Sequence, residues 1–172
     1  AELEVSFFET VNMGAGQYAN NPWLMEMPDP VNRCVWGNYL AIPVKWDGGN
    51  DFTAFQNLNP KELYGVADNV NLTVNGNGQV VTAVRQFGQM PGTVALALGY
   101  GRSLTGEMGK ALANDVGINV NPWLSIDENG NTQYYAVVDS VEKVSTDSEF
   151  ACVQYHYTMG VTGTNSDGEQ IN

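Results

Sequence analysis

Asn69-Val70-Asn71-Leu72-Thr73-Val74-Asn75-Gly76-Asn77-Gly78-Gln79-Val80-Val81-Thr82-Ala83-Val84-Arg85-Gln86-Phe87 decides the fold class of this chain. Two strands, Asn69 to Val74 and Gln79 to Phe87, flank Asn75-Gly76-Asn77-Gly78. Asn-Gly is a strong short-range hairpin signal, because a type I′ turn needs positive φ at both central residues. Working outward, Thr93 to Leu98 is apolar at nearly every position and predicts a strand buried on both faces. Glu128-Asn129-Gly130-Asn131 signals a second hairpin feeding a strand from Gln133 to Val141, and Phe150 to Met159 reads as a last strand.

The N-terminal half follows the same logic. Leu3 to Val11 is a strand candidate, followed by the Gly/Asn loop from Gly14 to Asn21. Pro22, Pro28 and Pro30 then forbid a central strand and leave room for a short helix at most. Asn38 to Trp46 predicts a strand that Pro43 places at an edge or a bulge, with Asp47 to Asp51 as a loop. Asn59-Pro60 before Lys61 to Tyr64 and Gly65 reads as a short capped helix. Gly106 to Ala113 reads as a loop or a helical turn. Seven or so strands with few helices predict a mainly β fold, a closed barrel or a sandwich. The tetrapeptide Asn-Pro-Trp-Leu occurs at Asn21–Leu24 and again at Asn121–Leu124, which reads either as chance or as an internal pseudo-two-fold.

The 172 residues suit one domain, and 43% hydrophobic residues suit a globular core. The 19 acidic residues against 7 basic ones give a net charge of −12, which repels phosphate backbones and anionic lipid. Nucleic acid and direct membrane insertion are therefore not expected, and the acidity serves solubility or a docking face for a cationic partner. No apolar stretch reaches membrane-spanning length and no signal peptide opens the chain. A start without methionine and a polar end suggest a domain excised from something longer. Cys34 and Cys152 form no Cys-x-x-Cys, so an iron–sulfur cluster or structural zinc held by this segment is not expected. They read as buried thiols in preference to a disulfide.

Catalytic motifs are scarce. There is no Gly-x-Ser-x-Gly elbow and no phosphate-binding Gly-x-x-x-x-Gly-Lys, and Leu104 stands where Gly99 and Gly101 would need a third glycine. His156 is the one histidine and reads as a packed side chain. Asp127-Glu128-Asn129-Gly130 is a turn and not a calcium loop, since Val138 occupies the twelfth position. Asn71-Leu72-Thr73 is a formal glycosylation sequon inside a strand. What remains is Gly99-Tyr100-Gly101-Arg102-Ser103 after the most buried strand. Its glycines would let the main chain approach a ligand and offer N–H groups, and Arg102 would meet a phosphate or a purine edge. The opposing reading pairs Arg102 with an acid or a backbone carbonyl.

Asn20-Asn21-Pro22-Trp23-Leu24-Met25-Glu26-Met27-Pro28-Asp29-Pro30, then Trp36-Gly37-Asn38, resembles the NNPWLQELPDP…TWDN pattern of the large iron–sulfur subunit of bacterial alternative complex III. Gln89 to Arg102 and Gly117-Ile118-Asn119-Val120-Asn121 are similar to the same subunit, so the likeness spans roughly Asn20 to Asn121. Asn59-Pro60, Gly65 and Asp68-Asn69-Val70 resemble a further stretch of the family, with Asp-Asn in place of its Gly-Asp. The resemblance implies a molybdopterin-dinucleotide-binding-like domain with a double-psi β-barrel, as in aspartate decarboxylase, within the molybdopterin oxidoreductase superfamily. It further implies a peripheral position on the periplasmic face of the inner membrane, in a quinol-oxidising electron-transfer complex whose other domains and subunits are the partners. That subunit is held to have kept the fold and lost the molybdenum cofactor, so this segment is expected to be a scaffold without cofactor and not catalytic alone. The alternative is a domain that binds molybdopterin guanine dinucleotide, with Gly99, Tyr100, Gly101, Arg102, Asn119 and Asn121 as the contacts. The lack of a Gly-Ser bond excludes pyruvoyl self-processing, and the lack of Asp-Thr-Gly or Asp-Ser-Gly excludes an aspartic protease.

Overall fold

The computed structural model describes residues 2–43, 66–86, 88–104, 114–149, 151–153, 163–164 and 170–171. In chain order the elements are β1 (Glu4–Phe8), helix α1 (Pro22–Glu26), β2 (Cys34–Val35), β3 (Leu40–Pro43), β4 (Val66–Val74), β5 (Asn77–Gln86) and β6 (Thr93–Ala97). A 3-10 turn at Asn121–Trp123 precedes β7 (Ser125–Ile126), β8 (Thr132–Gln133), β9 (Tyr135–Glu149), β10 (Ala151–Cys152), β11 (Gly163–Thr164) and β12 (Gln170–Ile171). The protein is mainly β. The short helix expected at Asn59–Gly65, the turn at Gly106–Ala113 and His156 lie outside the described residues.

Six strands close on themselves in the order β1-β6-β3-β5-β4-β9, and the remaining strands form three two-stranded ladders. Inward positions follow the two-residue period of a strand: Val5 and Phe7, Leu40 and Ile42, Val70, Leu72 and Val74, Val81 and Ala83, Val94 and Leu96 are all buried in one core. Of the outward positions of β6, Thr93 and Ala95 are half-buried and Ala97 is buried, so the strand is covered on both faces at its C-terminal end and only partly at its start.

The hairpin reading holds closely. Val74 pairs with Asn77, leaving Asn75 (φ 51) and Gly76 (φ 72) as a two-residue turn with both φ positive. The second hairpin is a five-residue loop between β7 and β8, with Ser125 opposite Gln133 and Ile126 opposite Thr132. The following strand is longer than Gln133–Val141, because β9 runs on to Glu149 along β4, with register shifts around Asn69 and Thr73. Pro43 does not sit on an edge: β3 lies between β5 and β6. Its position is tolerated because β3 meets β6 only at Ala41 opposite Ala95, so no ladder on that side asks Pro43 for a donor.

The strand order has an internal symmetry. Exchanging β1, β3 and β4 for β5, β6 and β9 leaves every pairing unchanged: the parallel pair β1–β6 becomes the parallel pair β5–β3, and the antiparallel pairs map likewise onto antiparallel pairs. The two Asn-Pro-Trp-Leu copies are not its mates. The first lies between β1 and β3, whereas the second lies between β6 and β9, the counterpart of the β3–β4 connection. Their surroundings differ too. Asn21 caps α1 by accepting from the backbone N–H groups of Trp23 and Leu24, and Trp23 is 83% exposed. Asn121 opens the 3-10 turn without a side-chain cap, and Trp123 is fully buried, its ring stacked on Phe7 at 6.2 Å and its Nε1 donating to the Asn77 carbonyl at 2.8 Å.

Candidate functional site

Because β1 and β6 are parallel neighbours, the chain leaves both in the same direction, and the loops after Phe8 and after Ala97 lie side by side. A second apolar cluster of Met13, Ala19, Met25, Ala97 and Tyr100 packs the first of these loops and α1 against the end of β6. Between the two loops and the stretch before the 3-10 turn is an open cleft of about 550 Å³. Gly99, Tyr100, Gly101, Arg102, Asn119 and Asn121, the six residues expected to act together, all line it with Ser103, and Ala15, Gly16, Gln17, Ala19 and Asn20 form the other wall.

The glycines have a different task from the one expected. Gly99 has φ 88, and a Cβ there would stand 2.9 Å from the Gly16 nitrogen and 3.1 Å from the Gly14 carbonyl oxygen. Gly101 has φ 70, and a Cβ there would run into the Asn119 nitrogen. Both are therefore required where the chain crosses itself, independent of any ligand. The Gly101 amide follows suit, donating to the Val116 carbonyl at 2.8 Å, and on the opposite wall the Gly16 N–H donates to the Met13 carbonyl at 3.0 Å. The Arg102 carbonyl accepts from the Asp115 N–H at 2.7 Å, which fixes the backbone but not the side chain.

Tyr100 reaches the cleft mainly through its backbone. The residue is buried, it belongs to the second cluster, and its hydroxyl accepts from Asn12 Nδ2 at 3.4 Å. Burial pushes its phenol up from the ordinary tyrosine range, so it remains a neutral packing group. Asn119 accepts from the Asn121 N–H through Oδ1 at 3.0 Å, and its carbonyl accepts from Gln79 Nε2 at 2.8 Å. Arg102 is half-buried, and its guanidinium donates to no carboxylate or carbonyl among the described residues. The expected pairing with an acid or a carbonyl does not occur there. Arg102 is also the one charged side chain among the described residues lining the cleft.

Sequence reasoning missed the residue that holds these loops together. Asn38 is buried, its Nδ2 donating to the carbonyls of Ala97 (2.8 Å) and Ile118 (3.0 Å), while its Oδ1 accepts from the Ile118 N–H (2.8 Å). An amide carries donors and an acceptor on one planar group, which suits it to bridging two strand-like segments. Its place in Trp36-Gly37-Asn38 was the only signal in the chain. The wall from Ala15 to Asn20 was likewise unforeseen, since it arrives through the long-range pairing of β1 with β6.

Elsewhere, the Asp127 carboxylate accepts from the N–H groups of Asn129 and Asn131 and from the side chains of Asn131 and Gln133, closing the β7–β8 turn on itself. Those hydrogen bonds hold Asp127 below the usual carboxylate range. No group of three or more His, Cys, Asp or Glu is placed to hold a metal among the described residues, and none of their helices is long and apolar enough to cross a membrane. No protein-family model matches this chain, and no curated protein matches it.

Proposed function

We propose that this chain is a double-psi β-barrel domain acting as a non-catalytic scaffold in a membrane-associated, quinol-oxidising electron-transfer complex, of the type built on a molybdopterin-oxidoreductase-like iron–sulfur subunit. In this reading it lies on the periplasmic face of the inner membrane and its partners are the other domains and subunits of that complex. The barrel assignment is supported by the six-stranded ring, by its two parallel pairs and by the exchange symmetry between the two halves of the strand order. The scaffold assignment rests on one observation. The glycines that would open the backbone to a nucleotide are closed against the chain itself, and the Gly101 N–H is taken up by Val116.

The cleft supports a second reading, binding of molybdopterin guanine dinucleotide, because it gathers amides around a guanidinium that has no carboxylate or carbonyl partner among the described residues. The fit is incomplete. Asn119, Asn121 and Arg102 suit a base edge, but a diphosphate needs more positive charge than one arginine supplies in a chain of net charge −12. Titration calorimetry of the chain with guanosine and cytidine nucleotides separates the two. The scaffold reading expects no saturable heat at millimolar nucleotide. Saturable binding that weakens roughly ten- to a hundred-fold in Arg102→Ala would replace it with the second reading.

A further inference from the structure

Cys34 and Cys152 are 118 positions apart in sequence but directly opposite each other in the β2–β10 ladder. The type of pair follows from the surrounding hydrogen bonds. Neither backbone group of Cys34 is given to Cys152: its N–H donates to Asn32 Oδ1 at 2.9 Å and its carbonyl accepts from the Asp29 N–H at 3.1 Å. The ladder bond lies one step away, from the Val153 N–H to the Arg33 carbonyl at 3.0 Å. Cys34 and Cys152 therefore occupy a non-hydrogen-bonded antiparallel position, the closer of the two kinds, where Cα atoms stand about 4.5 Å apart. That separation falls within the span of roughly 4.4–6.8 Å that a disulfide bridges without moving the backbone.

The sulfurs themselves converge. Both thiols point at one acceptor, the Asn32 carbonyl, at 3.6 Å from Cys34 Sγ and 3.7 Å from Cys152 Sγ. The loop that presents Cys34 is rigid: Asp29 Oδ1 accepts from the N–H groups of Val31 and Asn32, the Arg33 N–H donates to the Asp29 carbonyl, and Arg33 has φ 62. Two thiols held in register by a fixed turn and a ladder need only a rotation of their side chains to join.

We propose that Cys34 and Cys152 are a disulfide site, closed by exchange with a small-molecule or protein disulfide, that clasps the connection before β3 to the stretch following β9. This inference is independent of both readings of the cleft. Cys152 is half-buried whereas Cys34 is only 4% exposed, which fixes the order of events. The Cys152 thiolate attacks the donor disulfide, forming a mixed disulfide and releasing one donor thiol. Cys34, giving up its proton, then attacks Cys152 Sγ and expels the second donor thiol. Two protein thiols are oxidised, the donor disulfide is reduced to two thiols, and no other oxidant is needed. Desolvation, followed by the facing Cys152, pushes the Cys34 thiol up from its ordinary range. The bridge joins two facing ladder strands and is accordingly a structural clasp.

The test uses the purified chain, reduced and then incubated with oxidised glutathione before denaturation and alkylation with N-ethylmaleimide. The expected product is a monomer that takes up no maleimide and weighs about two hydrogens less than the reduced chain. Its melting temperature should exceed that of the dithiothreitol-treated chain by roughly 4–16 °C, from the stabilisation usual for a closed loop. Cys34→Ser should retain one glutathione on Cys152, whereas Cys152→Ser should keep Cys34 as a free thiol that is alkylated only after denaturation. Two alkylated thiols in the glutathione-treated chain, a reaction that stops at the mixed disulfide, a disulfide-linked dimer, or a bridge that leaves the melting temperature unchanged would each overturn the proposal.

Discussion

Trp123→Ala is the sharpest test of how the ring is filled. The indole is the largest fully buried side chain among the described residues, and its three attachments can be weighed separately. Truncating a buried aromatic costs about 3–5 kcal/mol through lost transfer energy and the cavity left behind. Of that, the stack on Phe7, at 6.2 Å and 28° between ring planes, accounts for about 0.5–1.5 kcal/mol. The hydrogen bond to the Asn77 carbonyl adds about 1 kcal/mol at most, because Asn77 is exposed and its carbonyl regains water when the indole is gone. Trp123→Ala should therefore lower the melting temperature by roughly 6–20 °C, while Trp123→Phe, which keeps a ring in the gap, should cost about 1–2 kcal/mol. Trp23→Ala is the internal control: it sits in the same tetrapeptide, is 83% exposed, and should move stability by less than about 0.5 kcal/mol. Thermal melts and urea titrations, both followed by far-ultraviolet circular dichroism, give the three values. Equal losses at Trp23 and Trp123, or a loss below about 1 kcal/mol at Trp123, would refute the packing argument.

Gly101→Ala should be severely destabilising, costing at least about 2 kcal/mol, since positive φ and a backbone clash act together; Gly130→Ala, at φ 84 with open space around it, should cost only about 1 kcal/mol in the same denaturation assay. Asn38→Ala removes the bridge between Ala97 and Ile118 and should cost about 2–4 kcal/mol, with amide hydrogen exchange rising at Ile118 and Gly101 before it rises in β4 and β5. Asp127 is held below its ordinary range in the fold, so its contribution to the β7–β8 turn is full above the unfolded aspartate range and is lost as pH falls through the lowered folded value. Nuclear magnetic resonance titration of its carboxyl carbon should give a midpoint below that of an aspartate in the unfolded chain, and a midpoint at or above it would contradict the hydrogen-bonded turn.

What the sequence made legible was local. Asn75-Gly76 announced its turn because few residues other than glycine and asparagine enter positive φ cheaply, and Pro22, Pro28 and Pro30 limited the helix between them to the short α1. The far end of β9 was hidden by its own polarity. Glu142, Lys143, Ser145 and Ser148 look like part of a loop, yet their backbones pair with β4, and Lys143 and Thr146 reach the buried Asp68 carboxylate at 3.2 and 2.7 Å. The cleft was half legible. Glycines flanking Tyr100, followed by Arg102, marked one wall, but the signal for close backbone approach did not reveal that the approaching backbone was Gly16 and Asn119 of the same chain. The opposite wall, and the meeting of Cys34 with Cys152, depend on pairings between distant segments that no local pattern encodes.

The place of β1 in the ring also sets a timetable for the chain. Its two neighbours are β6 and β9, so Glu4 finds Thr93 and Val137 only about 90 and 130 residues after it has been made. At ordinary translation speeds of about 5–20 residues per second, the first strand waits roughly 6–26 s on the ribosome for its second partner. During that interval Val5 and Phe7 have no ring to enter. The hairpin of β4 and β5 can form as soon as it emerges, while β1 must be inserted between two later strands. A holding chaperone acting on a nascent chain of this design would take up β1 as it emerges and release it only once β9 has been made.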